Sequence, residues 1–164
     1  MSERHPGAVY GASKNKAPGS KQFYRPTYSG GKWDQFVIGH AVGRILQVCC
    51  GGSSIGQVRV DIDATVPGVT VQGSMLALPF RDGAFETVCC DPMYNLGNPE
   101  RIHLQRELAR VATARLLFKA PWIPRASGWE LKDTILIASH TCANVAVLSR
   151  LDKAAAADGF FDEE

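Results

Sequence analysis

Two stretches of this chain hold residues whose types and spacing could do chemistry. The first, "CCGGSSIG" at residues 49–56, carries a Val-rich segment into glycines and small hydroxyl residues. Little side chain stands in the way there, so backbone N–H groups can approach a ligand closely. Asp61 and Asp63 follow, two apart. On a strand they share a face, and a carboxylate at a strand end can accept both hydroxyls of a ribose. The second stretch, "DPMYNL" at residues 91–96, closes another Val-rich segment with a carboxylate, a proline and an aromatic. By itself it also suits a strand-to-loop turn, since Asp-Pro with nearby Asn95, Gly97 and Pro99 is ordinary turn chemistry.

Both stretches need strands to position them. "RILQVCC", "GQVRVDID", "GVTVQGS" and "FETVCCD" are short, apolar and rich in Val, a pattern of buried parallel strands. From Pro99 to Ala114 the period becomes helical, with Leu104, Leu108 and Val111 on one face. "LLFK" reads as a further strand, "PWIPRASG" as a loop, and "TILIAS" with "ANVAVLS" as a closing hairpin. The expectation is an α/β domain with a mainly parallel sheet and an antiparallel C-terminal hairpin. Ligands in such sheets gather beyond the carboxyl ends of the strands, where both chemical stretches fall. Only "GGSSIGQ" separates the first two strands, whereas a parallel crossover normally takes about a dozen residues or more. The first helix of the fold is therefore expected to be reduced or missing.

The order "LQVCCGGSSIG", "VDID", "VQGSMLALPFRDGAFETV", "DPMY" and then "RELARV" before "ARLLF" resembles the run of motifs in class I S-adenosylmethionine-dependent methyltransferases. The resemblance covers residues 44–118, with "KAPWIP" as an extension, and implies their Rossmann-like fold and S-adenosylmethionine as cofactor. On it, Cys49, Gly51, Ser53 and Gly56 form the methionine-binding loop, Asp61 holds the ribose hydroxyls with Asp63 beside it, and Ser74 and Met75 flank the adenine. Gln47 stands where the family usually carries an acidic residue, Cys49 and Ser53 where it carries loop glycines, and Ser74 where an Asp commonly meets the adenine amino group.

"DPMY" resembles the [Asp/Asn/Ser]-Pro-Pro-[Tyr/Phe/Trp] signature of the family members that methylate exocyclic amino groups, adenine N6 and cytosine N4. An aromatic amine is a poor nucleophile because its lone pair is delocalised into the ring. Acceptors on both of its N–H bonds would aim that lone pair at the methyl group and stabilise the positive charge developing on nitrogen. The resemblance gives Asp91 the carboxylate, Pro92 the carbonyl and Tyr94 the stacking face. Met93 replaces the second proline. Met93, Trp122 and Lys119 are candidate substrate contacts, Trp122 as a stacking surface or else core packing, and Lys119 toward a phosphate or else a solvated strand end. The implied activity is methylation of a base in nucleic acid, DNA more than RNA. The alternatives are a methyltransferase for a small molecule or free nucleotide, and a catalytically silent domain that binds the cofactor or a partner.

The rest of the sequence bounds this reading. With 164 residues, 45% hydrophobic and 21% charged, the chain is about one globular domain. No apolar run is long enough to span a bilayer, and the N-terminus lacks the apolar centre of a signal peptide, so a cytoplasmic location with reduced thiols is expected. Cys49–Cys50 and Cys89–Cys90 are adjacent pairs whose side chains point to opposite faces of a strand, which excludes a shared metal. They and Cys142 are expected to be free thiols, and His103 and His140 have no evident partners. Arg4, Lys14, Lys16, Lys21, Arg25 and Lys32 crowd the start of the chain, and Asp158, Asp162, Glu163 and Glu164 its end. Residues 1–32 are thus expected to be a basic flexible arm, either a solubilising disordered segment or one that, with "FYRPTY", could follow a phosphate backbone; 33–153 the methyltransferase-like domain; and 154–164 an acidic tail. A domain this small has no room for a separate target-recognition module, so recognition falls to the arm, to residues 93–103 and 121–128, or to a second subunit, in a homodimer or with another partner.

Overall fold

The computed structural model describes residues 31–138 and 145–155. Most of the expected basic arm and acidic tail, with "FYRPTY", His140 and Cys142, lie outside those residues. Seven strands form one sheet in the order β3-β2-β1-β4-β5-β7-β6. They are β1 (Ile45–Val48), β2 (Val58–Asp61), β3 (Val71–Gln72), β4 (Phe85–Cys90), β5 (Ala112–Ala120), β6 (Trp129–Ala138) and β7 (Val145–Lys153). Pairing is parallel from β3 to β5, and β7 runs antiparallel to both β5 and β6. The mainly parallel sheet with its antiparallel C-terminal pair is the architecture the sequence predicts. Among the described residues, no helix is long and apolar enough to cross a membrane.

Alternation along the strands sorts the core onto two faces. Leu46, Val48, Val60, Val88, Cys90, Leu116 and Phe118 pack with Leu104, Leu108 and Val111 of helix α2 (Asn98–Val111). The opposite face holds Cys89, Leu117 and Leu148 under Trp33, Phe36 and Val37 of helix α1 (Lys32–His40). α1 was not foreseen. It begins at the last residue of the expected arm and is only nine residues long, too short to display a clear helical period, yet Trp33 and Val37 are almost completely buried. The sequence also carried α2 to Ala114. Instead, β5 begins at Ala112 because Ala112 pairs with Phe85 and the Thr113 hydroxyl donates to the Phe85 carbonyl at 3.2 Å. Tertiary pairing there overrides alanine's helical preference.

Residues 49–57 alone join β1 to β2, and no helix forms in them. A turn with Ser53 N–H donating to the Cys50 carbonyl starts the connection, and Ile55 packs onto the α1 face. Gln57 returns to the start of β1, where its Oε1 accepts from Ile45 N–H at 2.8 Å. Arg59 then ties the connection down by donating to the carbonyls of Gly56 at 2.9 Å and Gly68 at 2.5 Å. The connection turns through left-handed residues, since Cys49, Gly51, Gly52 and Gly56 all have positive φ. At Gly56, φ is +81° and an added Cβ would lie 3.0 Å from the Ile45 carbonyl oxygen. Gly56→Ala is therefore expected to lower the unfolding free energy by about 1–2 kcal/mol, read as a shift of the urea midpoint. An unchanged midpoint would show that the crossover has other conformations available.

Candidate active site at the carboxyl edge

The two central strands set the site. β1 and β4 are parallel neighbours in the register Leu46↔Val88, Gln47↔Cys89, Val48↔Cys90. The turn that begins at Cys49 and the segment that begins at Asp91 therefore leave the sheet side by side at one edge. Asp61 closes β2 at the same edge.

Around the first turn the expected residues meet. Asp61 Oδ2 accepts from Gly51 N–H and its Oδ1 from Asp63 N–H, each at 3.2 Å. The Cys49 thiol lies 3.4 Å from Met75 Sδ, which brings the loop after β3 to the loop after β1. Cys49 has φ +54° and is the one non-glycine residue with positive φ among those described. That is a backbone shape more usual for glycine. Ser53 Oγ accepts from Ile55 N–H at 3.3 Å and Ser74 Oγ from Leu76 N–H at 3.2 Å, so both hydroxyls brace their own turns. Asp63 faces its own turn as well. It accepts from the Thr65 hydroxyl and backbone N–H, which hold its carboxyl below the usual range. Asp61 and Asp63 thus part company beyond the end of β2. Gln47 is buried on the α1 face, and its Oε1 has no hydrogen-bond partner among the described residues.

The second segment contains a pair that sequence reasoning missed. The Lys119 ammonium donates to Asp91 Oδ2 at 3.1 Å, and the two side chains are only 5% and 7% exposed. Lys119 follows Phe118, which pairs with Cys90, so the strand register carries lysine and aspartate to the same height. Lys119 therefore reaches Asp91 rather than extending freely toward a phosphate. Pro92 is buried, Tyr94 is half-buried and Met93 is 54% exposed at the rim. Trp122 packs on the α2-side core with the Arg101 guanidinium 4.3 Å from its ring centre.

The cysteines are wall material. Cys90 packs with α2 and Cys89 with α1, on opposite faces as the strand requires. The Cys89 thiol donates to the Leu46 carbonyl at 3.5 Å. Burial pushes the thiols of Cys50, Cys89 and Cys90 above their usual range, so they stay protonated and unreactive at neutral pH.

A second clamp holds the segment that feeds β4. Arg110 donates to the carbonyls of Phe80 and Leu78 and to Asp82, while Glu107 accepts from Leu78 N–H at 2.8 Å and from Arg110 at 2.6 Å. "RELARV" and "LPFRDG" are thus two halves of one contact. The Arg110 hydrogen bonds hold Glu107 below the usual carboxylate range.

No family model and no curated protein sequence matches the chain. Solved structures do. It is similar to an S-adenosylmethionine-dependent methyltransferase of Thermotoga maritima (TM-score 0.57, 12% identity, 74% of this chain and 87% of that one). A methyltransferase of Methanosarcina mazei is equally similar (TM-score 0.57, 12% identity, 74% and 98%). So is the N-methyltransferase NodS of Bradyrhizobium japonicum (TM-score 0.57, 9% identity, 75% and 93%). The chain has the Rossmann-like fold of class I methyltransferases, with two helices among the described residues.

The Lys119–Asp91 pair is testable apart from activity. Lys119→Met leaves a buried carboxylate without its ammonium and is expected to cost about 3–5 kcal/mol of stability. Asp91→Asn with Lys119→Met should recover most of that loss in urea denaturation. A cost below about 1 kcal/mol for Lys119→Met would mean that water, not protein, surrounds the pair.

Proposed function

We propose that this chain is an S-adenosylmethionine-dependent methyltransferase whose acceptor is an exocyclic amino group of a nucleic-acid base, adenine N6 or cytosine N4. The observation that carries the reading is the β1–β4 register, which brings the turn after Val48 and the Asp91–Tyr94 segment out at one edge.

The residues present fit the cofactor. A carboxylate offers about four lone-pair sites, and the two backbone N–H groups on Asp61 use one on each oxygen, leaving each able to accept a ribose hydroxyl. The left-handed turn at Cys49, Gly51 and Gly52 exposes backbone polar groups beside it. On this reading Met75, held against Cys49 at 3.4 Å, and Ser74 would flank the adenine. S-adenosylmethionine, when bound, supplies an electrophilic methyl group on a sulfonium.

The protein's share is to present the amine. Asp91 is an acceptor whose position is held by Lys119, and Pro92 offers a backbone carbonyl next to it. Together they accept the two N–H bonds of the amine and aim its nitrogen. On this reading Tyr94 would give the base a stacking face, and Met93, exposed at the rim, would contact a base turned out of its stack. Amine acceptors are at home on this fold, as the N-methyltransferase NodS shows for its own case. The bare β1–β2 crossover supports a second reading, a domain that binds the cofactor without turnover.

One set of measurements separates these. The wild-type chain is expected to move labelled methyl groups from S-adenosylmethionine to oligonucleotides, with N6-methyladenine or N4-methylcytosine seen by nucleoside mass spectrometry. Asp91→Ala should lower kcat by roughly 10²-fold or more, the scale for losing one preorganised electrostatic contact. No transfer to any amino-bearing base, or an unaffected Asp91→Ala, defeats the reading. Separately, Asp61→Ala should weaken cofactor binding about tenfold in calorimetry, the loss of about 1.4 kcal/mol of hydrogen bonding to a charged group. An unchanged Kd would remove Asp61 from the cofactor site.

A further inference from the structure

A cleft of about 460 Å3 lies away from the carboxyl-edge turns, between the outer flank of α2 and the residues 121–128 that connect β5 to β6. Pro121 starts this connection at the carboxyl edge, and Gly128 ends it at the other, where Trp129 pairs with Lys153. In crossing, it runs beside α2, and Arg125 N–H donates to Gln105 Oε1. The cleft's walls are basic. Arg106, Arg125 and Lys153 line it, are exposed, and have no carboxylate within ion-pair distance among the described residues. Arg110 also lines it, but Glu107 and Asp82 already take its charge. Asp152, beside Lys153 in sequence, points to the opposite face and pairs with Arg115.

The flank continues the same character upward. Arg101 lies on the Trp122 ring, and Lys153 lies 4.9 Å from the centre of the Trp129 ring. The buried donors Arg101 Nε, Trp122 Nε1 and Trp129 Nε1 have no acceptor among the described residues. Every unmet demand along this flank is for negative charge or for acceptors. These three donors are buried behind the surface, so the charge that a ligand in the cleft meets is that of Arg106, Arg125 and Lys153.

We propose that this cleft binds the phosphates of a nucleic-acid backbone and holds the strand whose base reaches Asp91. The proposal rests on the nucleic-acid reading of the acceptor. A single phosphate could touch one or two of these cations. From Arg101 to Arg110 the helix rises roughly 13 Å, more than a single phosphate group spans. The track also starts in the right place, since Trp122 follows Lys119 by three residues at the edge where Asp91 sits. Phosphate contacts of this kind set register and orientation without reading sequence.

The experiment uses the full chain without cofactor and a fluorescent 20-nucleotide single strand, with binding followed by anisotropy over a salt series. The triple variant Arg106→Gln, Arg125→Gln, Lys153→Gln is expected to bind at least tenfold more weakly. Its slope of log affinity against log salt should fall by about 2, at roughly 0.7 per lost phosphate contact on a single strand. A control triple of equal charge change, Arg44→Gln, Arg81→Gln, Lys132→Gln, should keep most of the slope. Circular dichroism and the urea midpoint confirm that both triples fold, and Arg106→Glu alone repeats the test with minimal change. Equal slopes for the two triples would overturn the proposal, as would binding of inorganic phosphate by calorimetry with no binding of the oligonucleotide. If methyl transfer by the wild-type chain fails while oligonucleotide binding and its dependence on the cleft persist, the amine chemistry is what has failed.

Discussion

The parallel pairing of β1 with β4 is the constraint on which the rest of the molecule depends. These are the central strands, and nearly every side chain on them is buried, so their backbone groups have no partners except each other and the flanking strands. A slip of one residue would turn Leu46, Val48, Val88 and Cys90 away from α2 and strand Cys89 in their place. The register is therefore held by the core. Because it is held, the turn at Cys49 and the segment at Asp91 have no choice but to emerge together.

The fold reaches this arrangement with two helices among the described residues, where a parallel sheet usually carries one per crossover. Coil takes over the missing parts. Residues 49–57 return from β1 to β2 by left-handed turns, and Arg59, on the face where a crossover helix would pack, satisfies the carbonyls of Gly56 and Gly68. Residues 121–128 cross the sheet beside α2 in place of a second helix and leave the basic cleft between them. Economy in helices thus exposes surface at both places where a ligand could be held.

Much of the fold was legible in the chain. Val-rich segments marked β1, β2 and β4, and Leu104, Leu108 and Val111 marked the buried face of α2, because burial on fixed periods leaves a direct trace in residue order. "RELARV" and "LPFRDG" were visible as separate parts of a resemblance, and in this chain the Arg110–Glu107 clamp joins them. α1 was hidden because two and a half turns carrying Trp33, Phe36 and Val37 do not form a periodic signal. The end of α2 was misplaced because pairing with β4, and not local propensity, converts Ala112 into strand.

At the site the same division holds. The residue types that suit a ribose or an amine, Asp61 and Asp91, and the glycines beside them could be read in order from the chain, since each sits where a strand ends and strand ends are local events. That Asp61 caps Gly51 while Asp63 turns to Thr65, and that Lys119 closes on Asp91 from 28 residues away, only the folded sheet decided. Local sequence sets which groups are available at each strand's end. Which of them touch depends on strand register across the sheet, a long-range outcome of packing that no single stretch of the chain encodes.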